Sequence, residues 1–410
     1  MRIAVLSDLH AFCSDARKAS DGKSVLPPSL IDFSASTRKP NIDPLAGFIK
    51  LFESGEIDPP DLLIVGGDLG DKADTHAIQA VWGELSSLVD KLTVTNLVAT
   101  CGNHDLDTRY KQNKFDPRGF LRTLKPGFPF PNTVEQRINL LEYWANNFSI
   151  LEGKQYRILN INSCAFHGFG SEAEPELERG RVSEITLDSI EEQLKIAVKV
   201  APHKQNICLF HHHIRPVSTD TFDDTSTMKG SERLAEMLSK ASLGEWLIIH
   251  GHRHRSNLFC AGGNSAPIVL SCASFAATRT GDEHNPSPNQ FYIVELEDAP
   301  LGEVARVAGT IRAWNWTPSI GWQSKTSIPG GLPVVSGFGY RGYIPDLAKN
   351  IAIAVKTSGK IVWSDLISNF PDLRRLMPSD NASLIETLES NGVIATEADG
   401  QIKELAQVNA

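Results

Sequence analysis

Five times along this chain an apolar, strand-like run leads straight into a cluster of Asp, Asn or His. Ile3 to Leu6 precedes Ser7-Asp8-Leu9-His10, and Leu62 to Val65 precedes Gly66-Gly67-Asp68. Asn96 to Thr100 leads to Gly102-Asn103-His104-Asp105. Ile207 to Phe210 precedes His211-His212-His213, and Trp246 to Ile249 precedes His250-Gly251-His252-Arg253-His254. Eight of the twelve histidines fall in these clusters. One cluster alone would mean little. Five of them, each putting hard or borderline metal ligands at the C-terminal end of a strand, form a constellation that the fold has to gather. Asp and His at i and i+2 on an extended segment that ends in a turn can reach one ion together. A pair of ions about 3.5 to 4 Å apart further needs a carboxylate shared between them. Asp68 is the candidate, and Asp71 a weaker one.

In this order the clusters read D-x-H, G-D, G-N-H-D/E, a later H, and G-H-x-H, and residues 1 to 300 resemble the calcineurin-like metallophosphoesterase superfamily. The resemblance implies an α/β fold, a four-layer αββα sandwich of two packed mixed β-sheets flanked by helices, with a small C-terminal appendage outside it. It places Asp8, His10, Asp68 and His254 on one divalent transition-metal ion, and Asp68, Asn103, His211 and His252 on a second. Only one imidazole of His211-His212-His213 is needed; the first is preferred, with His212 behind it. The family often follows this His pair with Pro, whereas here Ile214-Arg215-Pro216 intervenes. Oxygen and imidazole ligands without thiolate suit manganese, with iron, zinc, cobalt and nickel as alternatives. In the family the histidine matching His104 is not a ligand. The resemblance makes it a proton donor to the leaving group or a positive stabiliser of the developing charge, with Asp105 orienting its imidazole and a metal-bridging hydroxide as nucleophile. His250 reads as a core or supporting group, and His76, His167, His203 and His284 as surface or hydrogen-bonded residues.

The implied reaction is hydrolysis of a phosphate ester. Protein phosphatases of the superfamily carry an Arg shortly after the acids of the second motif, and Glu in place of Asp105. Here the chain reads Gly67-Asp68-Leu69-Gly70-Asp71-Lys72 and Gly102-Asn103-His104-Asp105, which looks more like the bacterial phosphodiesterase and repair-nuclease branches. The expected substrate is a phosphodiester, either a nucleotide or another small diester. A DNA or RNA nuclease is the enzymatic alternative, and an inert scaffold the alternative from another class. A net charge of -9 argues against a surface built throughout for nucleic acid, but not against a local groove. Between 108 and 125, Arg109, Lys111, Lys114, Arg118, Arg122 and Lys125 stand against Asp116 alone. The segment is either a solvated basic loop or an electropositive lip that draws phosphate toward His104.

At 410 residues the chain exceeds the usual single core. Its expected division is a catalytic domain over 1–313, an irregular or short-β linker over 314–345, and a small helical unit over 346–410. Apolar periodicity predicts helices around 45–52, over 76–92 and 134–148, from Asp188, and near 231–240. Asp188 and Glu191 have capping-box spacing. Strands are predicted over 156–163, 266–272, 290–297 and 303–313. The polar insertion 11–44 leaves the strand end that carries Asp8 and His10, so it is expected to border the site; 168–180 and 218–227 read as loops. Near the C-terminus, one helix with Leu366, Ile367 and Phe370, a second with Leu384, Ile385 and Leu388, and a hairpin around Asp399-Gly400 outline a winged helix. Residues 361–410 hold eight acids against three bases, wrong for gripping phosphates, so a packing or protein-partner surface is expected there. Six cysteines without a C-x-x-C pair read as reduced core thiols of a cytoplasmic protein. The first strand begins at the N-terminus, leaving no room for a leader, and no apolar run approaches the roughly 18 to 20 residues of a spanning helix.

Overall fold

The apolar runs become strands that stack into two sheets, with helices filling the intervals. The structure is a computed structural model that describes residues 1–16, 27–131, 136–168, 179–216, 226–263, 266–278, 281–282, 285–298, 306–398 and 401–407. The first elements are β1 (Arg2–Leu6), α1 (Pro44–Glu53), β2 (Leu62–Val65), α2 (Thr75–Leu92), β3 (Asn96–Ala99) and α3 (Gln136–Asn146). Next come β4 (Phe148–Glu152), β5 (Tyr156–Ile161), α4 (Glu184–Val200), β6 (Gln205–Leu209), α5 (Ser231–Leu238), β7 (Trp246–His250), β8 (Asn257–Cys260) and β9 (Ile268–Ser271). A two-residue ladder, β10 (Gly281–Asp282) and β11 (Asn285–Pro286), leads to β12 (Gln290–Leu296), β13 (Gly309–Thr317), β14 (Gly321–Gln323) and β15 (Val335–Phe338). The chain finishes with α6 (Ile344–Ser358), β16 (Lys360–Val362), α7 (Trp363–Asn369), α8 (Pro378–Ser390), β17 (Val393–Ala398) and β18 (Gln401–Gln407).

The first sheet runs β14-β13-β12-β1-β2-β3, with β15 also on β13; β1, β2 and β3 are parallel. The second runs β4-β5-β6-β7-β9-β8, and its four inner strands are parallel. Strand residues alternate between faces, which explains why both faces of the second sheet are apolar. Ile207, Leu209, Leu247 and Ile249 join the core shared with the first sheet. Cys208, Phe210, Trp246 and Ile248 turn outward onto Leu187, Ile190 and Leu194 of α4 and Leu234 of α5. On the far side, Phe48 of α1 and Ile78, Val81, Trp82 and Leu85 of α2 cover the first sheet. The result is the expected α/β architecture, two large mixed sheets flanked by helices with a small C-terminal sheet and helices beyond them. No helix among the described residues is long and apolar enough to cross a membrane.

Several local expectations change. The helix predicted to reach Phe148 stops at Asn146, because Asn147 takes a left-handed φ of 64° and Phe148 opens β4 opposite Ile161. Val134 lies outside the described residues. Helix α4 starts at Glu184, capped by the Ser183 side chain on the Thr186 N–H, so Asp188 lies inside it and caps nothing. The expected irregular or short-β linker contains short strands placed in the first sheet: β13 continues to Thr317, and β14 and β15 pair with it. Its tryptophans explain this, since Trp314, Trp316 and Trp322 are buried against Phe291 and each other. Residues 17–26 of the insertion, 169–178 and 218–225 of the two loops, 303–305 of the predicted strand and the turn Asp399-Gly400 are outside the described residues.

The C-terminal unit has its own apolar core, drawn from α6, α7, α8, β17 and β18. Its sheet order is β16-β18-β17, so helix, strand, two helices and a hairpin follow in turn. Helix α6 adds to the expected outline through Leu347, Ile351 and Val355, all buried at helical spacing. The Gly337 N–H donates to Leu376 O at 3.1 Å, and Arg375 pairs with Glu297 at 2.6 Å, tying this unit to the first sheet.

Candidate metal centre

The parallel strands of both sheets deliver their C-terminal ends to one rim, the usual ligand edge of an open α/β sheet. Loops leaving β1, β2 and β3 carry Asp8 and His10, Asp68, and Asn103 and His104; loops leaving β6 and β7 carry His211, His252 and His254. Backbone bonds lock these tips: Asp8 N–H to Gly67 O and His10 N–H to Asp68 O, each 3.0 Å, and Gly251 N–H to His211 O, 3.0 Å. Five of the predicted ligands turn sharply in the left-handed region: Asp8 (φ 55°), His10 (48°), Asp68 (53°), His252 (85°) and His254 (56°). Each such residue costs on the order of 1 kcal/mol or more, and strain of this kind persists where a site requires it. Asp and His tolerate the region better than most residues. Two glycines are required by close approach. A Cβ on Gly102 would lie 2.1 Å from Asp68 Oδ1, and one on Gly251 would lie 2.2 Å from Asp8 Oδ2.

All seven predicted ligands come together, in two linked groups. In one, His10 Nε2 lies 3.0 Å from His254 Nε2, and His254 Nε2 lies 3.5 Å from Asp8 Oδ1. In the other, Asn103 Oδ1 lies 3.1 Å from both His211 Nε2 and His252 Nδ1. Asp68 joins them: its Oδ2 is 3.5 Å from His10 Nε2 and 3.3 Å from His211 Nε2, while its Oδ1 accepts the His104 N–H at 2.8 Å. Of the three consecutive histidines, His211 faces the site, with its Nδ1 held 2.8 Å from Gly66 O. His212 instead meets Ser163 Oγ, and His250 stacks on Phe210 in the core.

The donor set suits a pair of ions. Two ligand atoms about 2.1 Å from one metal at tetrahedral or octahedral angles sit about 3.0 to 3.4 Å apart. The inter-ligand distances of 3.0 to 3.5 Å fall at or close to that spacing. Clusters of Asp8, His10 and His254 and of Asp8, Asp68 and His211 have all their donor atoms within 4.8 Å.

One expected role is corrected. Asp105 does not orient His104: its buried carboxylate accepts the Gly102 N–H at 2.9 Å and the Gly70 N–H at 3.1 Å. Burial, and after it the charge of Asp68, push this carboxyl up to about 7 against those two N–H groups. Asp105 thus ties the second and third motif loops together. The partner of the His104 ring is Asp71, whose Oδ1 lies 2.9 Å from His104 Nδ1 and 3.5 Å from His10 Nδ1. Burial opposes the ionised form of Asp71, but the two imidazoles outweigh it and hold its pKa well below the usual carboxylate range. Burial likewise opposes a charge on His104, yet Asp68 and Asp71 together raise its pKa. Asp71 is therefore no bridge between metals. It holds a proposed ligand and the proposed acid by their outer nitrogens.

Beside His104 lies a cleft of about 110 Å³ lined by Asn103, Lys72, Arg109 and Lys111, among others. Asp107 shapes it by accepting the N–H groups of Lys111, Gln112 and Asn113. Arg118 and Arg122 pair instead with Asp116. The basic segment is thus divided, part lip and part internal ion pair. Asp107 carries no motif signal, and only its place in the folded loop reveals it.

No curated protein matches the chain. Among solved structures, a dimetal phosphatase from Danio rerio is similar at 11% identity and TM-score 0.46, covering 79% of this chain and 98% of that one. A purple acid phosphatase from yellow lupin (Lupinus luteus) is 12% identical at TM-score 0.46, covering 77% of this chain and 51% of that one. A phosphopantetheinyl hydrolase from Mycobacterium tuberculosis is 12% identical at TM-score 0.33, covering 66% and 89%. A family model, wHTH-Calcineurin_assc, matches residues 336–390. The model of the calcineurin-like phosphoesterases matches residues 1–256, more than half of the chain and all five ligand-bearing loops, and the protein belongs to that family.

Proposed function

We propose that the protein hydrolyses a phosphodiester, a nucleotide or another small diester, at a dinuclear centre. The observation that carries this reading is Asp68 Oδ2, set between an imidazole of each ligand group. Asp8, His10, Asp68 and His254 would hold one divalent ion, and Asp68, Asn103, His211 and His252 the other; manganese suits these donors, with iron, zinc, cobalt and nickel as alternatives. The ions, when bound, supply Lewis acidity toward phosphoryl oxygens and a deprotonated water at neutral pH.

The chain's own residues do the rest. Asp71 fixes His104 through Nδ1, which leaves Nε2 to give a proton to the departing alkoxide. The Asp71 carboxylate beside Nδ1 favours the protonated form of that ring. Lys72, Arg109 and Lys111 line the approach and attract the anionic substrate. An acid at the leaving group matters most for an alkoxide that departs poorly, so an ester of an ordinary alcohol is favoured over an aryl ester.

Nucleic acid is the second reading, because a winged-helix family model covers residues 336–390. The acidic excess over 361–410 weighs against it, and a protein-contacting role for that unit fits its charge better. A hydrolysis panel with manganese separates the readings: aryl phosphomonoester, aryl phosphodiester, cyclic nucleotides, and single- and double-stranded DNA and RNA. Faster turnover of the diester and cyclic nucleotides is expected. Cleavage of the monoester alone would overturn the diester reading, and degradation of DNA or RNA in preference to small diesters would replace it with the nuclease.

A further inference from the structure

Next to the ligand set, where the His212 ring centroid lies 5.2 Å from that of His211 and 4.5 Å from that of His252, a second group of potential ligand side chains gathers. Cys164, His167 and His212 are fully buried, and one donor atom of each lies within 4.8 Å of the others. None of the three belongs to the ligand set above. Cys164 and His167 sit in the turn after β5, and His212 follows β6.

Each imidazole is held at one nitrogen. His167 Nε2 lies 3.0 Å from Arg179 O. A carbonyl only accepts, so Nε2 carries the proton and Nδ1 keeps its lone pair, the tautomer a ligand needs. His212 Nδ1 meets Ser163 Oγ at 2.9 Å, and the ring packs on Gly180, where a Cβ would come within 2.4 Å of it. His212 Nε2 is then left buried with no hydrogen-bond partner. Such a group is unfavourable to bury unless something binds it.

A second thiol lies nearby: Cys164 Sγ donates to Cys101 O at 3.2 Å, while Cys101 Sγ meets Gly102 O at 3.5 Å and would have to turn toward the three grouped donors. Two thiolates neutralise a divalent cation, which suits a site closed to water. Two imidazoles on one ion bring their ring centroids to about 5 Å. The His167 and His212 centroids are 5.0 Å apart, against 4.9 Å for His10 and His254 and 5.2 Å for His211 and His252. Spacing alone does not make a site, since His213 and His250 lie 4.5 Å apart with no third donor grouped with them among the described residues. What distinguishes this cluster is the sulfur beside the rings.

We propose that Cys164, His167 and His212, completed by Cys101, bind a third divalent ion, a thiophilic one such as zinc, apart from the catalytic pair. The ion would pin the turns after β3, β5 and β6 together and fix the backbone that carries His211.

The test uses the full chain, grown with zinc and manganese and freed of loose metal. Elemental analysis should give three ions per chain, falling to two in Cys164→Ser with the circular dichroism unchanged. Refolded with cobalt alone, the wild-type protein should show a near-ultraviolet thiolate-to-cobalt band that Cys164→Ser lacks. Asp68→Asn should lose the pair and keep this band, so failure of the dinuclear reading and failure of this one are told apart. Two ions or fewer in the wild type with no thiolate-to-cobalt band would overturn the third site even if Cys164→Ser failed to fold. So would a Cys101–Cys164 disulfide, read as two fewer titratable thiols than the six cysteines in denatured protein.

Discussion

Asp71 shows how much one carboxylate can organise. With Oδ1 facing Nδ1 of both His10 and His104, it sets the tautomer of a proposed ligand and of the proposed acid together. His104→Ala should keep both ions and lower kcat by a factor on the order of 100 or more on a poor leaving group. The check is turnover measured beside metal content, and unchanged turnover would remove the imidazole from proton transfer. Asp71→Asn should act on both functions, weakening metal affinity and activity by roughly 10- to 100-fold. Metal titration and kcat must fall together for Asp71 to hold the place given to it. His104 was legible from the sequence because it sits in a motif. Its partner was not: Asp71 and Asp105 flank the same loops, and only the folded backbone turns one toward the ring and the other toward two N–H groups.

At the scale of elements, the tight turns after the strands decide the site. Glycine is needed where a turn crosses a carboxylate, as at Gly102, and is dispensable where the space is open, as at Gly83. Gly102→Ala should displace Asp68 and reduce the bound pair, because the new Cβ would stand 2.1 Å from Asp68 Oδ1. Gly83, inside α2, has nothing within 4 Å of its Cβ position. Gly83→Ala should therefore retain metal and stabilise the fold by up to about 1 kcal/mol, seen as a higher Tm. A Gly102→Ala protein with its full metal complement would refute the steric account. The helices over 76–92 and 231–240 were readable because their apolar stripes repeat cleanly. The strands β14 and β15 were legible only as irregular or short β structure, since Gly, Pro and Trp look irregular until tertiary contacts bury the tryptophans.

Across the whole molecule, the centre draws ligands from the two sheets, which also share one apolar core. Asp68→Asn should lose both ions, because the shared charge is gone, and retention of two ions at normal affinity would contradict a bridge. Chelation of the wild-type protein should lower Tm, since ions that bind the folded state stabilise it by mass action, about 4 kcal/mol at 1,000 times Kd. An unchanged Tm after chelation would mean that the rim is held without them. The amino-acid sequence by itself determined the chemistry of the site: which donor types exist, their order, and their position at strand ends, because strand periodicity and the short spacing of each motif are local properties. It also gave the outline of the C-terminal unit, while the charge pattern there argued against nucleic acid. Only the tertiary structure decided which imidazole nitrogen faces inward, which carboxylate serves His104, and that Cys164, His167 and His212 meet in one buried cluster. Those choices depend on distances between residues far apart in the chain, and only packing the two sheets together sets such distances.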